Sequence, residues 1–168
     1  EKVRHILYLA FLTTMNRNKP FGSAGTEEHA LAGRKIAEEG IVLLQNRDNV
    51  LPIDLSKTKK IAVIGENAIK MMTVGGGSSS LKVKYEISLL DGLKKRAGKQ
   101  TEIVYARGYV GDASGSYNGV LSGQDLSDSR TADELLTEAC AVSKTADYVI
   151  FVGGLNKSDN QDCEGADR

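Results

Sequence analysis

The sequence is poor in the residue types that several kinds of site require. It has no Trp, two Cys and two His among 168 residues. Two cysteines are too few for a disulfide framework, and no CxxC pair or Cys/His cluster indicates zinc. We expect Cys140 to pack in the core on the apolar face of a helix, and Cys163 to be a free thiol in a polar loop. We interpret His5 and His29, which lie far apart in helical segments, as surface or packing residues.

An excess of charge of one sign is also absent. Twenty-two basic residues balance 22 acidic ones, so the formal net charge is +0. This balance provides no electrostatic attraction to nucleic acid or to an anionic membrane, and we expect neither as a partner. No run approaches the ~20 apolar residues that a membrane span needs. With 40% hydrophobic residues, the chain is typical of one globular domain with a buried core.

Four segments have the apolar spacing and the end signals of α-helices. Thr26, Ser88 and Thr131 are predicted N-caps, because their hydroxyls can accept hydrogen bonds from the free N–H groups of a first turn. Gly40 and Gly98 are predicted stops, since glycine readily takes the conformation that ends a helix. The predicted helices span residues 1–15, 27–39, 89–97 and 132–146.

Short apolar runs between these helices predict β-strands. They cover residues 41–44, 61–64, 102–106 and 148–152. Strands that alternate with helices indicate a mostly parallel sheet with helices on both faces. The predicted fold class is therefore α/β, a three-layer α/β/α sandwich that is incomplete at the C-terminus. Residues 108–129, rich in Gly, Ser and Asp, are interpreted as a long surface loop.

Two polar loops are candidate ligand sites. Ligands of open α/β sheets bind beyond the carboxyl ends of the strands, and residues 66–80 and 155–168 both follow buried strands. The first loop does not fit a nucleotide site, because neither GxGxxG nor GK followed by Ser or Thr occurs. Its glycine–serine run at 75–80 is either a flexible turn or a loop that approaches a ligand. The second loop concentrates carboxylates, amides, a lysine and an arginine, a composition that fits a carbohydrate site, a solvated loop or a calcium site.

A resemblance to glycoside hydrolase family 3 extends over most of the chain. Residues 29–46 (HALAGRKIAEEGIVLLQN) and 50–53 (VLPI) resemble the beginning of the second domain in that family. Residues 61–68 (IAVIGENA) are similar to its next strand and turn, and residues 76–79 (GGSS) to its glycine–serine loop. The EGADR segment at 164–168 resembles the EGxDR-type segment that carries the acid/base glutamate in many members. The order and spacing of these pieces are more specific than any one of them.

The resemblance implies a domain organisation. Residues 1–15 correspond to the last helix of a barrel domain outside this chain, residues 16–26 to an interdomain linker, and residues 27–168 to a partial α/β sandwich domain. The chain begins at Glu1 without an initiator Met and stops directly after the EGADR motif. We therefore expect it to be a piece of a longer protein, which is periplasmic or secreted and bacterial.

The resemblance also implies an activity, that of a retaining, exo-acting β-glycosidase of the β-glucosidase type. The substrate is a β-linked oligosaccharide or glycoside, and neither cofactor nor metal is expected. The nucleophile is an aspartate of the barrel domain, so we expect this chain alone to be inactive. The scarcity of aromatic residues (5%) agrees with that expectation, since a complete sugar site usually uses more. The alternative is a non-catalytic carbohydrate-binding or interaction module on an α/β fold.

By the same resemblance Glu164 is the expected general acid/base. Asp162 and Asp159 are its rivals, because the position of this residue varies between branches of the family. Asp167 and Arg168 are expected to form a structural pair near the site. The remaining candidates are expected to bind substrate: Gly76, Gly77, Ser78, Asn156 and Lys157.

Overall fold

The structure, a computed structural model, describes most of the chain. The described residues are 1–18, 22–71, 73, 83–109, 111, 116–117, 120–121 and 124–154. They belong to two units, Glu1–Gln45 and Asn46–Arg168.

The first unit consists of two helices, α1 (Lys2–Leu12) and α2 (Glu27–Gly40). The predicted N-cap of α2 is confirmed, since the Thr26 hydroxyl accepts a hydrogen bond from the backbone N–H of His29 at 3.2 Å. Glu27 and Glu28 lie in the first turn, where the helix dipole favours negative charge. Neither helix has a buried residue. The apolar faces that predicted these helices are therefore exposed.

The predicted strand at residues 41–44 is wrong. These residues follow α2 and belong to no strand, and Leu44 is 92% exposed. A strand needs a neighbour to pair its backbone N–H and C=O groups. Among the described residues no strand pairs with this segment. Its apolar composition alone was therefore an insufficient signal.

The second unit contains a three-stranded parallel sheet. Its strands are β1 (Lys60–Ile64), β2 (Glu102–Ala106) and β5 (Tyr148–Phe151), in the order β2-β1-β5. A separate antiparallel hairpin joins β3 (Ser116–Tyr117) to β4 (Val120–Leu121). The central strand β1 is buried from Ile61 to Ile64. Its uninterrupted apolar sequence is what a strand covered on both faces requires.

Helices cover both faces of this sheet. Ile61 and Val63 pack with Leu90 of α3 (Leu89–Ala97), whereas Ala62 and Ile64 pack with Ala139 of α4 (Ala132–Lys144). Because successive residues of a strand point to opposite faces, β1 contributes to two cores. The predicted three-layer α/β/α arrangement is confirmed.

The position of Cys140 differs from its prediction. Cys140 is an exposed free thiol, whereas Leu135 and Ala139 of the same helix are buried. Residues four apart lie on one face of a helix, and the next residue is rotated by about 100°. One step along α4 therefore carries Cys140 out of the core. Cys163 lies outside the described residues.

The segment predicted as a surface loop, residues 108–129, is more structured than expected. It contains the β3–β4 hairpin, and Leu126 is buried. Its last residues contact Arg107, directly after β2. Among the described residues no helix is both long enough and apolar enough to cross a membrane.

Candidate functional site

The two candidate loops begin side by side at one edge of the sheet. β1 and β5 are parallel neighbours, and Ile64 pairs with Phe151 at their carboxyl ends. The backbone N–H of Val152 donates to the carbonyl of Ile64 at 2.7 Å, which extends this pairing past the strand end. The structure thus brings together the first residues of both loops at the edge where α/β sheets bind ligands.

The residues predicted to act in the site lie further along these loops, outside the described residues. They are Gly76, Gly77, Ser78, Asn156, Lys157, Asp159, Asp162, Glu164, Asp167 and Arg168. Their roles remain predictions. What the structure describes is the base of each loop, residues 65–71 on one side and 152–154 on the other.

Backbone contact joins the two loop bases. Gly65 has φ +121, in the region that favours glycine, and a Cβ there would lie only 2.3 Å from the Val152 carbonyl oxygen. Gly65 also donates its N–H to the carbonyl of Ala106 at 3.2 Å. Any side chain at position 65 would force the β1 and β5 ends apart.

Asn67 extends this junction. It lies in the short 3-10 helix Glu66–Ala68 directly after β1. A Cβ built on Gly154 would lie 3.0 Å from its Nδ2 atom, so the side-chain amide packs against the backbone at the start of the second loop. Its Oδ1 atom is buried and has no hydrogen-bond partner among the described residues.

The first residue of this 3-10 helix, Glu66, has a buried carboxylate. The Glu66 side chain is 0% exposed, and it forms ion pairs with Arg107 and Lys70, which are 6% and 8% exposed. Arg107 Nη2 donates to Glu66 Oε2 in a short hydrogen bond, while Lys70 Nζ lies 3.7 Å from Glu66 Oε1. A buried charge is costly unless it is paired. Arg107, directly after β2, and Lys70, shortly after the 3-10 helix, meet that requirement.

The pairing continues towards the surface through Arg107. Its Nη1 donates to the Leu126 carbonyl at 2.7 Å and to Asp128 Oδ2 at 3.4 Å. Asp128 in turn accepts hydrogen bonds from the Arg130 guanidinium, which also pairs with Glu138 of α4. We call Glu66, Lys70, Arg107, Asp128, Arg130 and Glu138 the Arg107 network. It connects the ends of β1 and β2 to the segment before α4.

Within the network, the pKa values of Arg107 and Asp128 are shifted in the direction that favours their charged forms. Burial by itself would lower the pKa of Arg107, but its hydrogen bond with Glu66 and the charge of that carboxylate raise the pKa overall. The hydrogen bonds from Arg130 hold the pKa of Asp128 well below its usual range. Arg107 and Asp128 thus remain charged across the neutral range.

Two hydrogen bonds from one side chain, Gln124, hold the segment after the 3-10 helix. The Gln124 side chain donates through Nε2 to the carbonyl of Ile69 at 2.7 Å and accepts from the N–H of Met71 at 2.9 Å. Gln124 lies 53 residues from Met71 in the sequence. The base of the first loop is therefore held by the Arg107 network on one side and by Gln124 on the other.

Sequence reasoning missed this network. Its one available signal was the pair of opposite charges, Glu66 and Arg107, just after two apolar strands. Charged residues at such positions are usually solvated, so the signal carried little weight. In the described part of the chain, no group of three or more His, Cys, Asp or Glu side chains is arranged to hold a metal ion. A lysine-lined groove, with Lys59, Lys94 and Lys99, lies at the amino-terminal end of β2, away from the loop bases.

Comparison with known proteins assigns the chain to a family. The sequence profile of the glycosyl hydrolase family 3 C-terminal domain matches residues 41–168. The matched region contains the parallel sheet and both loop bases at its carboxyl edge. The chain belongs to glycoside hydrolase family 3.

Individual relatives agree with this assignment. The chain is 44% identical to the β-glucosidase BoGH3A of Bacteroides ovatus, over 100% of this chain and 22% of that protein. It is 36% identical to a β-xylosidase of Formosa agariphila, over 86% and 18% respectively. A β-glucosidase structure from Erythrobacter marinus superposes with a TM-score of 0.54 at 32% identity, covering 75% of this chain and 17% of that one. The chain thus spans about a fifth of the length of these relatives.

Proposed function

We propose that the chain is the acid/base part of a retaining, exo-acting β-glycosidase of the β-glucosidase type. The observation that carries the proposal is the match of residues 41–168 to the family's C-terminal domain. The identity of 44% to a β-glucosidase over the whole chain supports it. In the wider protein, residues 1–15 end a barrel domain, residues 16–26 form a linker, and residues 27–168 belong to the α/β sandwich. The protein acts in the periplasm or outside a bacterial cell.

The proposed chemistry divides two carboxyl groups between two domains. Retention of configuration requires a nucleophile and an acid/base about 5–5.5 Å apart. The nucleophile is an aspartate of the barrel domain, outside this chain. Glu164 protonates the leaving glycosidic oxygen in the first step, and its carboxylate then removes a proton from the attacking water. This chain without the barrel domain is inactive, because it lacks the nucleophile.

The geometry of the loop bases supports this assignment. Glu164 belongs to the loop that begins after β5, and Gly76, Gly77 and Ser78 to the loop that begins after β1. Because Gly65 and Val152 are in contact, both loops leave the sheet from adjacent points. A sugar at this edge meets the backbone of one loop and the carboxyl group of the other. Asn156 and Lys157 bind its hydroxyls, while Asp167 and Arg168 pair to hold the second loop.

Removal of the Glu164 carboxyl in the full-length protein tests the proposal. For Glu164→Ala we expect kcat/KM to fall by about 10²–10⁴-fold on aryl β-glucosides with poor leaving groups. On 2,4-dinitrophenyl β-glucoside the loss should be much smaller, since that leaving group needs no proton. Added azide should restore turnover and form a β-glucosyl azide, because the small anion attacks the intermediate without a base.

The two other candidates for the acid/base role, Asp162 and Asp159, provide matched controls. Asp162→Asn and Asp159→Asn remove a carboxyl from the same loop with little change in size, and they should retain the leaving-group dependence of the wild type. If either variant shows the acid/base behaviour instead of Glu164→Ala, the role belongs to that aspartate. Sugar binding by the full-length protein without hydrolysis of any glycoside would favour the non-catalytic binding module.

A further inference from the structure

The groove at the amino-terminal end of β2, which we call the lysine groove, has no role in the proposed reaction. Its lining includes Lys59, Lys94, Lys99, Gln100 and Glu102, and its volume is about 560 Å³. We propose that the lysine groove is a docking site for an acidic polysaccharide, bound through the carboxylate or sulfate groups of the polymer. Such a site is separate from the proposed acid/base loop, and it does not depend on which residue is the acid/base.

Three lysines give the lysine groove a positive charge. Lys59, Lys94 and Lys99 are exposed, and none of them forms an ion pair with another described residue. The formal net charge of the whole chain is +0, so this charge is a local feature. Clefts lined by charge of one sign raise the local concentration of ligands of the opposite sign. The lysine groove therefore attracts anionic groups.

Two carboxylates close to the lysine groove do not cancel its charge. Glu102 forms an ion pair with Lys60 at 3.7 Å. Asp147 accepts hydrogen bonds from the backbone N–H groups of Lys59 and Lys60 at 2.8 and 2.9 Å, and it also interacts with the charge of Lys59. One carboxylate beside three lysines leaves a net positive charge.

The backbone that carries these lysines is held in place. The carbonyl of Lys59 accepts a hydrogen bond from the first N–H of β2 at 2.8 Å, and Lys94 lies in the last turn of α3. Lys99 lies two residues before Thr101, which is 3% exposed and donates its hydroxyl to the carbonyl of Thr58 at 2.8 Å. A site whose backbone is already ordered costs less entropy when a ligand binds.

Stabilisation of α3 does not account for all three lysines. A cation in the last turn of a helix interacts favourably with the helix dipole, and this explains Lys94. Lys99 lies beyond the C-cap residue Gly98, and Lys59 directly precedes β1 and belongs to no helix. The grouping of three unpaired lysines in one groove is explained by an anionic ligand.

The lining of the groove favours a polysaccharide over a nucleic acid. None of the described residues that line it is aromatic, so it lacks the side chains on which unpaired bases stack. The exposed amide of Gln100 both donates and accepts hydrogen bonds, as hydroxyl groups require. The chain also belongs to a family of glycoside hydrolases. Lysines beside an amide fit a sugar polymer that carries both acidic groups and hydroxyls.

Binding of polygalacturonate by the full-length protein, measured by isothermal titration calorimetry, tests the proposal. The groove variant Lys59→Gln/Lys99→Gln removes two positive charges and leaves α3 unchanged. Because an exposed ion pair changes an equilibrium by about 1.4- to fivefold, we expect Kd to rise about 2–30-fold. The matched control Lys35→Gln/Lys144→Gln removes the same charge at exposed positions that do not line the groove. It should bind like the wild type.

The charge of the polymer is tested in the same way. Fully methyl-esterified polygalacturonate has the same backbone without the charge and should not bind. Binding of polygalacturonate should weaken as NaCl is raised from about 0.05 to about 0.5 M, because salt screens exposed charges. Hydrolysis of p-nitrophenyl β-glucoside should be unchanged in the groove variant, since a five-residue strand of about 13 Å separates the groove from the carboxyl edge of the sheet.

Three results would overturn the proposal. The first is a wild-type protein that binds neither polygalacturonate nor dextran sulfate. The second is an equal loss of binding in the groove variant and in the control, which would show attraction to charge in general. The third is binding of polyglutamate as tight as that of polygalacturonate and equally dependent on Lys59 and Lys99, which would make an acidic protein the partner.

Discussion

At the scale of single residues, Tyr105 of β2 shows how burial acts on a polar group. Its hydroxyl is buried and has no hydrogen-bond partner among the described residues. Burial raises the pKa of Tyr105 to about 12, against the opposing charge of Arg107. The folded state therefore holds the phenol neutral well above the pH at which an exposed tyrosine ionises, about 10.

We predict that Tyr105→Phe leaves the stability of the second unit unchanged or raises its free energy of unfolding by up to about 1 kcal/mol, because it removes a buried hydroxyl that has no hydrogen-bond partner among the described residues. A pKa that is higher in the folded state means that the unfolded chain loses its proton first. The contribution that this pKa difference makes to the free energy of unfolding is therefore fully present below pH 10 and is lost as the pH rises through about 12. Urea unfolding of both proteins at pH 8, 10 and 11 measures the difference.

The free energy of unfolding of Tyr105→Phe should increase relative to that of the wild type as the pH rises from 8 to 11. A constant difference over that range would show that the Tyr105 hydroxyl titrates alike in both states. A marked loss of stability in Tyr105→Phe at pH 8 would mean that the hydroxyl has a partner after all.

Residue-scale predictions from the sequence were correct where the signal was local. Thr26, Ser88 and Thr131 each accept the expected N–H of a first helical turn. The partner in each case is only three residues away, so no tertiary information was needed. Glu66 and Arg107 are 41 residues apart. They meet because Ile64 pairs with Ala106 in the register of β1 and β2, and that register could not be obtained from either residue alone.

At the scale of elements, α4 begins with a capping box. The Thr131 hydroxyl accepts from the backbone N–H of Glu134 at 3.3 Å, and the Glu134 carboxylate accepts from the N–H of Thr131 at 2.7 Å. Two otherwise unpaired N–H groups are thereby satisfied. The hydrogen bonds from Thr131 hold the pKa of Glu134 below its usual value. α4 covers one face of the sheet through Leu135 and Ala139, so its stability is coupled to the core.

Accordingly, Thr131→Ala should lower the free energy of unfolding by about 1 kcal/mol, within a range of about 0.5–2 kcal/mol. Thr131→Ser retains the hydroxyl and should stay close to the wild type. Urea unfolding followed by far-UV circular dichroism measures both. Equal stability of the alanine and serine variants would show that the hydroxyl hydrogen bond contributes nothing.

Helices and strands were predicted well where the end signals and the apolar pattern indicated the same element. The prediction was poor where an element required a neighbouring strand. β2 has the predicted bounds, Glu102–Ala106, and α2, α3 and α4 end within two residues of their predicted limits. The segment 41–44 has the composition of a strand, but pairing requires a second strand at hydrogen-bonding distance. Apolar composition indicates that a segment can form a strand, but it does not indicate whether a second strand is present to pair with it.

At the scale of the whole molecule, α1 exposes the apolar face that predicted it. Val3 and Ile6 are 69% and 66% exposed, and the helix has 11 residues. Isolated helices of this length are marginal in water. The chain spans only 22% of the related β-glucosidase from Bacteroides ovatus. Our proposal that residues 1–15 end a barrel domain provides a surface against which this face can pack.

Hydrogen–deuterium exchange tests that proposal. In the chain of residues 1–168 alone, we expect the amides of α1 to exchange rapidly, because few buried contacts oppose opening of the helix. In the full-length protein the same amides should exchange at least about tenfold more slowly, since the Val3 and Ile6 side chains are covered there. The amides of β1 are the internal control and should be protected in both samples. Equal rates for α1 in the two proteins would contradict its packing in the barrel domain.

The sequence by itself was sufficient to predict the α/β class, the helix caps and the family. The caps depend on residues close together in the chain, and the class and the family depend on the order of elements and motifs along it. Strand order, the contact of Gly65 with Val152, the placement of Asn67 at Gly154 and the Arg107 network required the tertiary structure. The strand pairs, the contact of Gly65 with Val152 and the Glu66–Arg107 ion pair join residues 41 or more positions apart, and they are determined by the register of parallel strands. In a parallel sheet that register is set by packing on both faces at once, so no single segment encodes it.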